Sequence, residues 1–226
     1  MLKLATDIER KYYEDFMYPW QDEIFSVLRS EKFYLTGGTC LSRFYYQHRY
    51  SDDLDFFFDG TMFSREEFEA DFRVIINEIG KAYKYQLSID SEHFKQAFLI
   101  KDQYELKIDF VYEPVKSIGA RKHNGVIVID NKENLVSNKL STIYNRKTSK
   151  DYTDLFYLLQ EYHLEEVIRW AEEKMVPLDY ESTILCLVDG TFQGDVCLTK
   201  AIDENQFISF TKGLIQDLLN HAKKVR

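Results

Sequence analysis

Backbone breakers are scarce in this 226-residue chain, which has nine glycines and three prolines. That scarcity excludes a collagen-like repeat, a Gly/Ser linker protein and a proline-rich scaffold. Cysteine is equally sparse: Cys40, Cys186 and Cys197 are an odd number, too far apart for a C-x-x-C pair. They exclude a disulfide framework and a thiolate zinc site, and read as thiols in a reducing compartment. No uninterrupted apolar run approaches the roughly 18 residues of a membrane span. The charged stretch Met1–Phe16 has no signal-peptide core. The expectation is a soluble, cytoplasmic protein.

Positive charge is also in deficit, with 29 Lys and Arg against 38 Asp and Glu and a net charge of −9. A broad nucleic-acid surface is not expected from that balance. The deficit is uneven, however. Over residues 116–150, Lys116, Arg121, Lys122, Lys132, Lys139, Arg146, Lys147 and Lys150 face only Asp130 and Glu133. Such a run is either a solvated helix face or a local anion site, and charge alone leaves both open.

What the chain does have is apolar and aromatic mass, 45% and 15% of its residues, which excludes dominant disorder and provides for a real core. The first thirty residues read as helical, with Ile8, Tyr12 and Phe16 four apart. Phe33–Thr36 reads as a strand running into Gly37-Gly38, then a helix over 39–47 and a strand over 54–58. Ser64 to Glu67 has capping-box form, and Phe68, Phe72, Ile75, Ile76 and Ile79 follow at helical spacing. Strands are expected over 84–89, 93–100, 105–112 and 126–129.

From Asp130 onward the pattern is helical, with cap signals at Asp130 and Thr148. Further helices are expected over 164–175, 179–188 and 207–224. The expected class is α+β: a mixed sheet flanked by helices over residues 1–130, then a helical bundle over 131–226.

The chemistry-bearing residues begin with Asp53 and Asp55, fifteen residues and more beyond Gly38. Residues i and i+2 of a strand share a face, so the two carboxylates project together. Side by side they repel unless a cation joins them, and oxygen donors select Mg²⁺ or Mn²⁺. An Asp-x-Asp is otherwise a surface turn or a helix cap. Phe56-Phe57-Phe58 suggests a strand buried on both faces, with the acids at its end.

Gly37-Gly38 permits a sharp turn or close approach. If Thr39 opens the next helix, the Gly38 and Thr39 amides form a phosphate cradle; otherwise this is an ordinary tight turn. In Leu106-Lys107-Ile108-Asp109-Phe110-Val111, alternation sets Lys107, Asp109 and Val111 on one face. If that strand neighbours the Asp53 strand, Asp109 completes a carboxylate triad able to hold metal for displacement at phosphorus.

Gly37-Gly38-Thr39 followed by His48-Arg49-Tyr50-Ser51-Asp52-Asp53-Leu54-Asp55-Phe56-Phe57 resembles the signature of the AbiEii/AbiGii-type nucleotidyltransferases. These are toxin-like members of the polymerase-beta nucleotidyltransferase superfamily. Lys139-Leu140, Arg146 and Lys150-Asp151-Tyr152-Thr153-Asp154-Leu155 resemble that family's downstream helical motif. Lys150 stands where arginine is commoner, and Cys40 where alanine is frequent.

The resemblance implies a nucleotidyltransferase lobe and a helical bundle with NTP in the cleft between them. It implies Mg²⁺ or Mn²⁺ on Asp53, Asp55 and Asp109, nucleotide phosphates on Gly37, Gly38, Thr39 and Lys139, and support from Arg49, Ser51 and Asp151. Lys139 reads alternatively as a lysine snorkelling to water. Asp154 orders its helix, binds Lys139 or acts as a base. His48 reads as structural. The implied acceptor is an RNA, a tRNA end among the candidates, or a protein, and the implied partner is an antitoxin.

A non-catalytic nucleotide- or RNA-binding module of the same fold is the competing expectation. A haloacid-dehalogenase-type phosphatase or a D-x-D glycosyltransferase explains neither the Gly-Gly-Thr block nor the Lys139–Asp154 block.

Overall fold

The computed structural model describes residues 2–28, 30–174, 178–189 and 194–225. Its first elements are β1 (Leu2–Leu4), α1 (Asp7–Lys11), α2 (Tyr18–Val27), β2 (Phe33–Thr36), α3 (Gly37–Leu41) and β3 (Leu54–Asp59). α4 (Arg65–Ala82), β4 (Lys84–Asp90), β5 (Phe94–Lys101), β6 (Tyr104–Glu113), β7 (Lys122–His123) and β8 (Val128–Ile129) follow. The remainder is α5 (Lys132–Arg146), α6 (Ser149–Leu158), α7 (Leu164–Glu173), α8 (Tyr180–Asp189), β9 (Val196–Leu198) and α9 (Glu204–Val225). The class is α+β, as the sequence predicts. Residue 175, the expected end of one helix, lies outside the described residues. No helix among the described residues is long and apolar enough to cross a membrane.

Two compact units result, Thr6–Asn131 on one side and Lys132–Arg226 with Met1–Ala5 on the other. The first five residues therefore leave the unit to which the sequence assigns them. The reason is β1, which pairs in parallel with β9 from Leu2↔Val196 to Leu4↔Leu198. Three-residue strands carry too little periodicity to be read in advance.

In the first unit a mixed sheet has the order β4-β5-β6-β3-β2-β8-β7. β3 and β6 run parallel, whereas β2 and β3 run antiparallel. One face is the core: Leu54, Phe56, Phe58, Leu106, Ile108 and Phe110 are buried under Phe68, Phe72, Ile75, Ile76 and Ile79 of α4. Phe72 meets Phe110 edge-on at 5.2 Å between ring centroids. α4 opens on the expected capping box, with Ser64 accepting from the Glu67 amide. The opposite face of β3 is only half-covered at Asp55, Phe57 and Asp59, so the strand is not buried on both sides.

The helical residues 7–27 contain a π-turn, Tyr12–Met17, between α1 and α2. It rotates the apolar face, so Tyr13, Met17, Trp20 and Ile24 are buried while Ile8 is 83% exposed. A second π-turn, Ser42–Tyr46, continues α3 and closes at Gln47 with φ +48°.

The second unit packs α5 against α6, α7 and α8, with α9 against α7 and α8. Val136, Leu140, Ile143, Tyr152, Leu155, Val167, Ile168 and Leu218 make its core.

Candidate active site

β2 ends at Thr36, an extended residue that caps α3. Gly37 then takes φ +68°, a left-handed conformation that costs any residue with a Cβ. Space demands glycine as well: a Cβ on Gly37 would overlap Asp55 Oδ2, and one on Gly38 would overlap the Arg49 guanidinium. The helix starts at Gly37, two residues before the expected Thr39. Its first-turn N–H groups are therefore those of Gly37, Gly38 and Thr39.

The return loop over residues 47–53 is fixed from beneath. Arg49 is buried and donates from Nη1 to the Tyr50 carbonyl at 3.0 Å. Thr39 Oγ1 lies 2.9 Å from Ser51 Oγ and also bonds the Asp53 carbonyl. Both contacts are met when Thr39 donates to the carbonyl and accepts from Ser51. Gln21, fully buried on α2, donates to the carbonyls of Ser51 at 3.1 Å and Asp52 at 2.9 Å. His48 is fully buried.

Strand register then brings the acids into one row. Asp55 pairs with Asp109 across β3 and β6, Thr36 pairs with Asp55 across β2, and Gln96 pairs with Asp109 across β5. Gln96 Nε2 donates to Asp109 Oδ1 at 2.9 Å. At the other end of the row, Thr36 donates to the fully buried Asp130 at 2.7 Å. Asp130 also accepts the Asn131 amide at 3.0 Å; the residue expected as a helix cap lies one position too early to cap α5, which starts at Lys132, and anchors β2.

Asp53 stands just ahead of β3, outside the paired register, beside Lys107 of β6. Lys107 Nζ is 3.2 Å from Asp53 Oδ2 and 3.4 Å from Asp109 Oδ2. Burial works to lower its pKa, but Asp53 and Asp109 outweigh burial and hold the ammonium above the ordinary lysine range. Among the described residues, no three His, Cys, Asp or Glu side chains converge closely enough to make a ready metal cluster. Asp53, Asp55 and Asp109 share a face, but their carboxylates are directed to Lys107, toward Gly37 and to Gln96.

The second unit gathers a different set. Lys139 on α5 is buried, with Nζ 2.5 Å from Asp151 Oδ1 and 2.7 Å from Asp154 Oδ2. Of the roles open to Asp154, binding Lys139 is the one its geometry displays. Thr148 caps α6 on the Asp151 amide, and its hydroxyl donates to Asp151 Oδ2 at 2.7 Å. Burial works to raise the Asp151 carboxyl, but Lys139 and Thr148 hold it below the usual carboxylate range. The lysine expected as an open positive charge is thus bound by two carboxylates.

Sequence reasoning overlooked Gln21, Gln96, Thr36 and the role of Lys107. Lys107 was within reach, because the alternation that exposes Asp109 puts Lys107 on the same face. The others enter through register, which leaves no local signal.

A family model described as "Nucleotidyl transferase AbiEii toxin, Type IV TA system" matches residues 22–221. An uncharacterized protein of Aquifex aeolicus (strain VF5), aq_aa25, is 25% identical over 175 residues, 74% of this chain and 78% of that protein. Among solved structures, JHP933 from Helicobacter pylori matches with TM-score 0.61 and 18% identity, over 99% of this chain and 98% of that one. A putative nucleotidyltransferase from H. pylori matches with TM-score 0.60 and 17% identity, over 93% and 96%. MenT4, the nucleotidyltransferase toxin Rv2826c of Mycobacterium tuberculosis H37Rv, matches with TM-score 0.60 and 15% identity, over 90% and 82%. At these identities the solved structures establish the fold.

Proposed function

We propose that this chain, which belongs to the AbiEii nucleotidyltransferase toxin family, transfers NMP from an NTP to an acceptor hydroxyl with release of pyrophosphate. The acceptor in this reading is an RNA, a tRNA 3′ end being one candidate, and the protein partner is an antitoxin. The observation that carries the reading is the register pair Asp55↔Asp109, with Asp53 just ahead of β3 and the Gly37-Gly38 turn packed against Asp55.

Asp53, Asp55 and Asp109 would hold Mg²⁺ or Mn²⁺. Their donors are carboxylate oxygens, which suit a hard divalent ion. A cation, the Lys107 ammonium, already rests against two of the three. When bound, the metal supplies charge that stabilises the transferring phosphoryl group and the departing pyrophosphate. The Gly37, Gly38 and Thr39 amides donate to nucleotide phosphate, and a side chain on either glycine would disrupt the turn. Ser51 and Arg49 keep that turn fixed through Thr39 and Gly38. In the helical unit, Lys139 would be the cation for phosphate, held in place by Asp151 and Asp154.

The engagement of Asp53 and Asp109 by Lys107 favours one second reading, a non-catalytic nucleotide- or RNA-binding module. Each α-³²P-labelled NTP, offered with Mg²⁺ and total RNA, separates the two. Incorporation that disappears in Asp53→Ala supports transfer. Nucleotide binding without product supports the module, and neither binding nor product overturns both.

A further inference from the structure

Lys107 is an unusual neighbour for three acids proposed to hold a divalent cation. β6 carries Lys107 and Asp109 on one face, and the parallel register with β3 sets them beside Asp53 and Asp55. The four side chains form a block of three carboxylates and one ammonium. That ammonium touches Asp53 Oδ2 and Asp109 Oδ2, on two of the carboxylates that would hold the metal. Nζ and a divalent ion cannot share them, since two positive charges about 4 Å apart repel strongly in a half-buried site. Lysine is suited to yielding, because its charge sits on a flexible four-carbon stem with three rotatable donors. Its natural destination is an anion arriving with the metal.

We propose that Lys107 is a tethered counter-ion that weakens binding of free metal and makes metal entry depend on a nucleoside triphosphate. The proposal rests on the metal reading of Asp53, Asp55 and Asp109. In it, Lys107 balances the acids until metal and nucleotide arrive together; the ammonium then leaves Asp53 and Asp109 for triphosphate oxygen. Lys107 is a positioning residue for the metal and a discriminator between free metal and metal–nucleotide.

The test is Mn²⁺ binding followed by the EPR signal of free Mn²⁺, with the metal alone and then with a non-hydrolysable NTP analogue. Wild type, Lys107→Met, Lys107→Gln and Asp55→Asn are compared, each checked for a cooperative unfolding transition. Lys107→Met keeps the apolar stem, and Lys107→Gln serves if the methionine variant does not fold. The expected result is metal binding about tenfold tighter in the lysine variants, through loss of one like charge beside the site. The analogue should then enhance metal binding less in those variants than in wild type.

Equal or weaker Mn²⁺ binding in the lysine variants overturns the counter-ion role. The metal reading survives that result if wild type binds Mn²⁺ and Asp55→Asn does not. Absence of Mn²⁺ binding in wild type and lysine variants alike, with and without the analogue, overturns both.

Discussion

Two ion clusters in this protein use the same chemistry and arrive at opposite arrangements. Lys139, Asp151 and Asp154 lie on neighbouring helices, with contacts of 2.5 and 2.7 Å and an Asp154 side chain with no exposed surface. Lys107 and Asp109 lie on β6 and Asp53 in the loop just ahead of β3, with contacts of 3.2 and 3.4 Å and an Asp53 side chain 45% exposed. A close buried pair cannot lose one member without stranding a charge, so it is strongly coupled to folding. A longer pair open to water contributes little to stability and can exchange partners. The helical cluster is therefore coupled to folding, whereas the strand cluster can exchange partners.

The largest expected effect tests the strand side. Asp55→Asn keeps the shape of the side chain and removes the charge on which the proposed metal binding depends. Nucleotidyl transfer should fall by about 10³-fold or more, while Asp53→Ala should shift stability by less than about 1 kcal/mol. Incorporation of labelled NTP and urea denaturation measure the two quantities. If Asp53→Ala unfolds the protein, the contrast between the clusters fails.

Asp154→Ala probes the other side. It removes one of the two carboxylates that hold Lys139 in a buried site, and should cost about 3 kcal/mol of stability. A urea midpoint unchanged from wild type would show that the helical cluster is no more structural than the strand cluster. Gly37→Ala comes next in size. Its positive φ alone costs about 1–2 kcal/mol, and the overlap with Asp55 Oδ2 must be relieved by moving that carboxylate. Transfer activity should therefore drop further than stability does. Equal losses would mean that Gly37 serves only the turn.

Much of this contrast is foreshadowed in the sequence. Asp53 and Asp55 announce themselves by period-2 spacing in a phenylalanine run, and Asp109 by its place in an alternating strand. The α4 stripe, its capping box and the Thr148 cap are local patterns, and local patterns survive folding. Long-range properties do not show in the same way. Thr36, Gln96 and Asp130 reach the row of acids only through strand register, and Gln21 reaches the loop over residues 47–53 from a helix thirty residues earlier.

The π-turn at Tyr12–Met17 misleads in another manner, because one extra residue in a turn rotates every later side chain. The buried positions after its start are Tyr13, Met17, Trp20 and Ile24, not the continuation of the Ile8, Tyr12 and Phe16 stripe. For Asp154 the sequence leaves three roles open, binding Lys139 among them, and packing shows that Lys139 is held by Asp151 as well.

The smallest effect divides the helical cluster into its neutral and charged parts. Thr148 accepts the Asp151 amide as an N-cap, and its hydroxyl also donates to the Asp151 carboxylate. Thr148→Ala should cost about 1 kcal/mol near neutral pH. The amide contact persists at any pH, whereas the hydroxyl contact favours ionised Asp151. Because folded Asp151 titrates below its ordinary range, its charged interactions contribute fully above the unfolded value of about 3.9. They are lost as pH falls through the lower, folded value. The stability difference between wild type and Thr148→Ala should therefore be flat above about pH 5 and shrink on acidification. What remains in acid is the cap alone. A difference independent of pH, measured by urea denaturation across that range, would place the whole effect in the cap and none in the ion cluster.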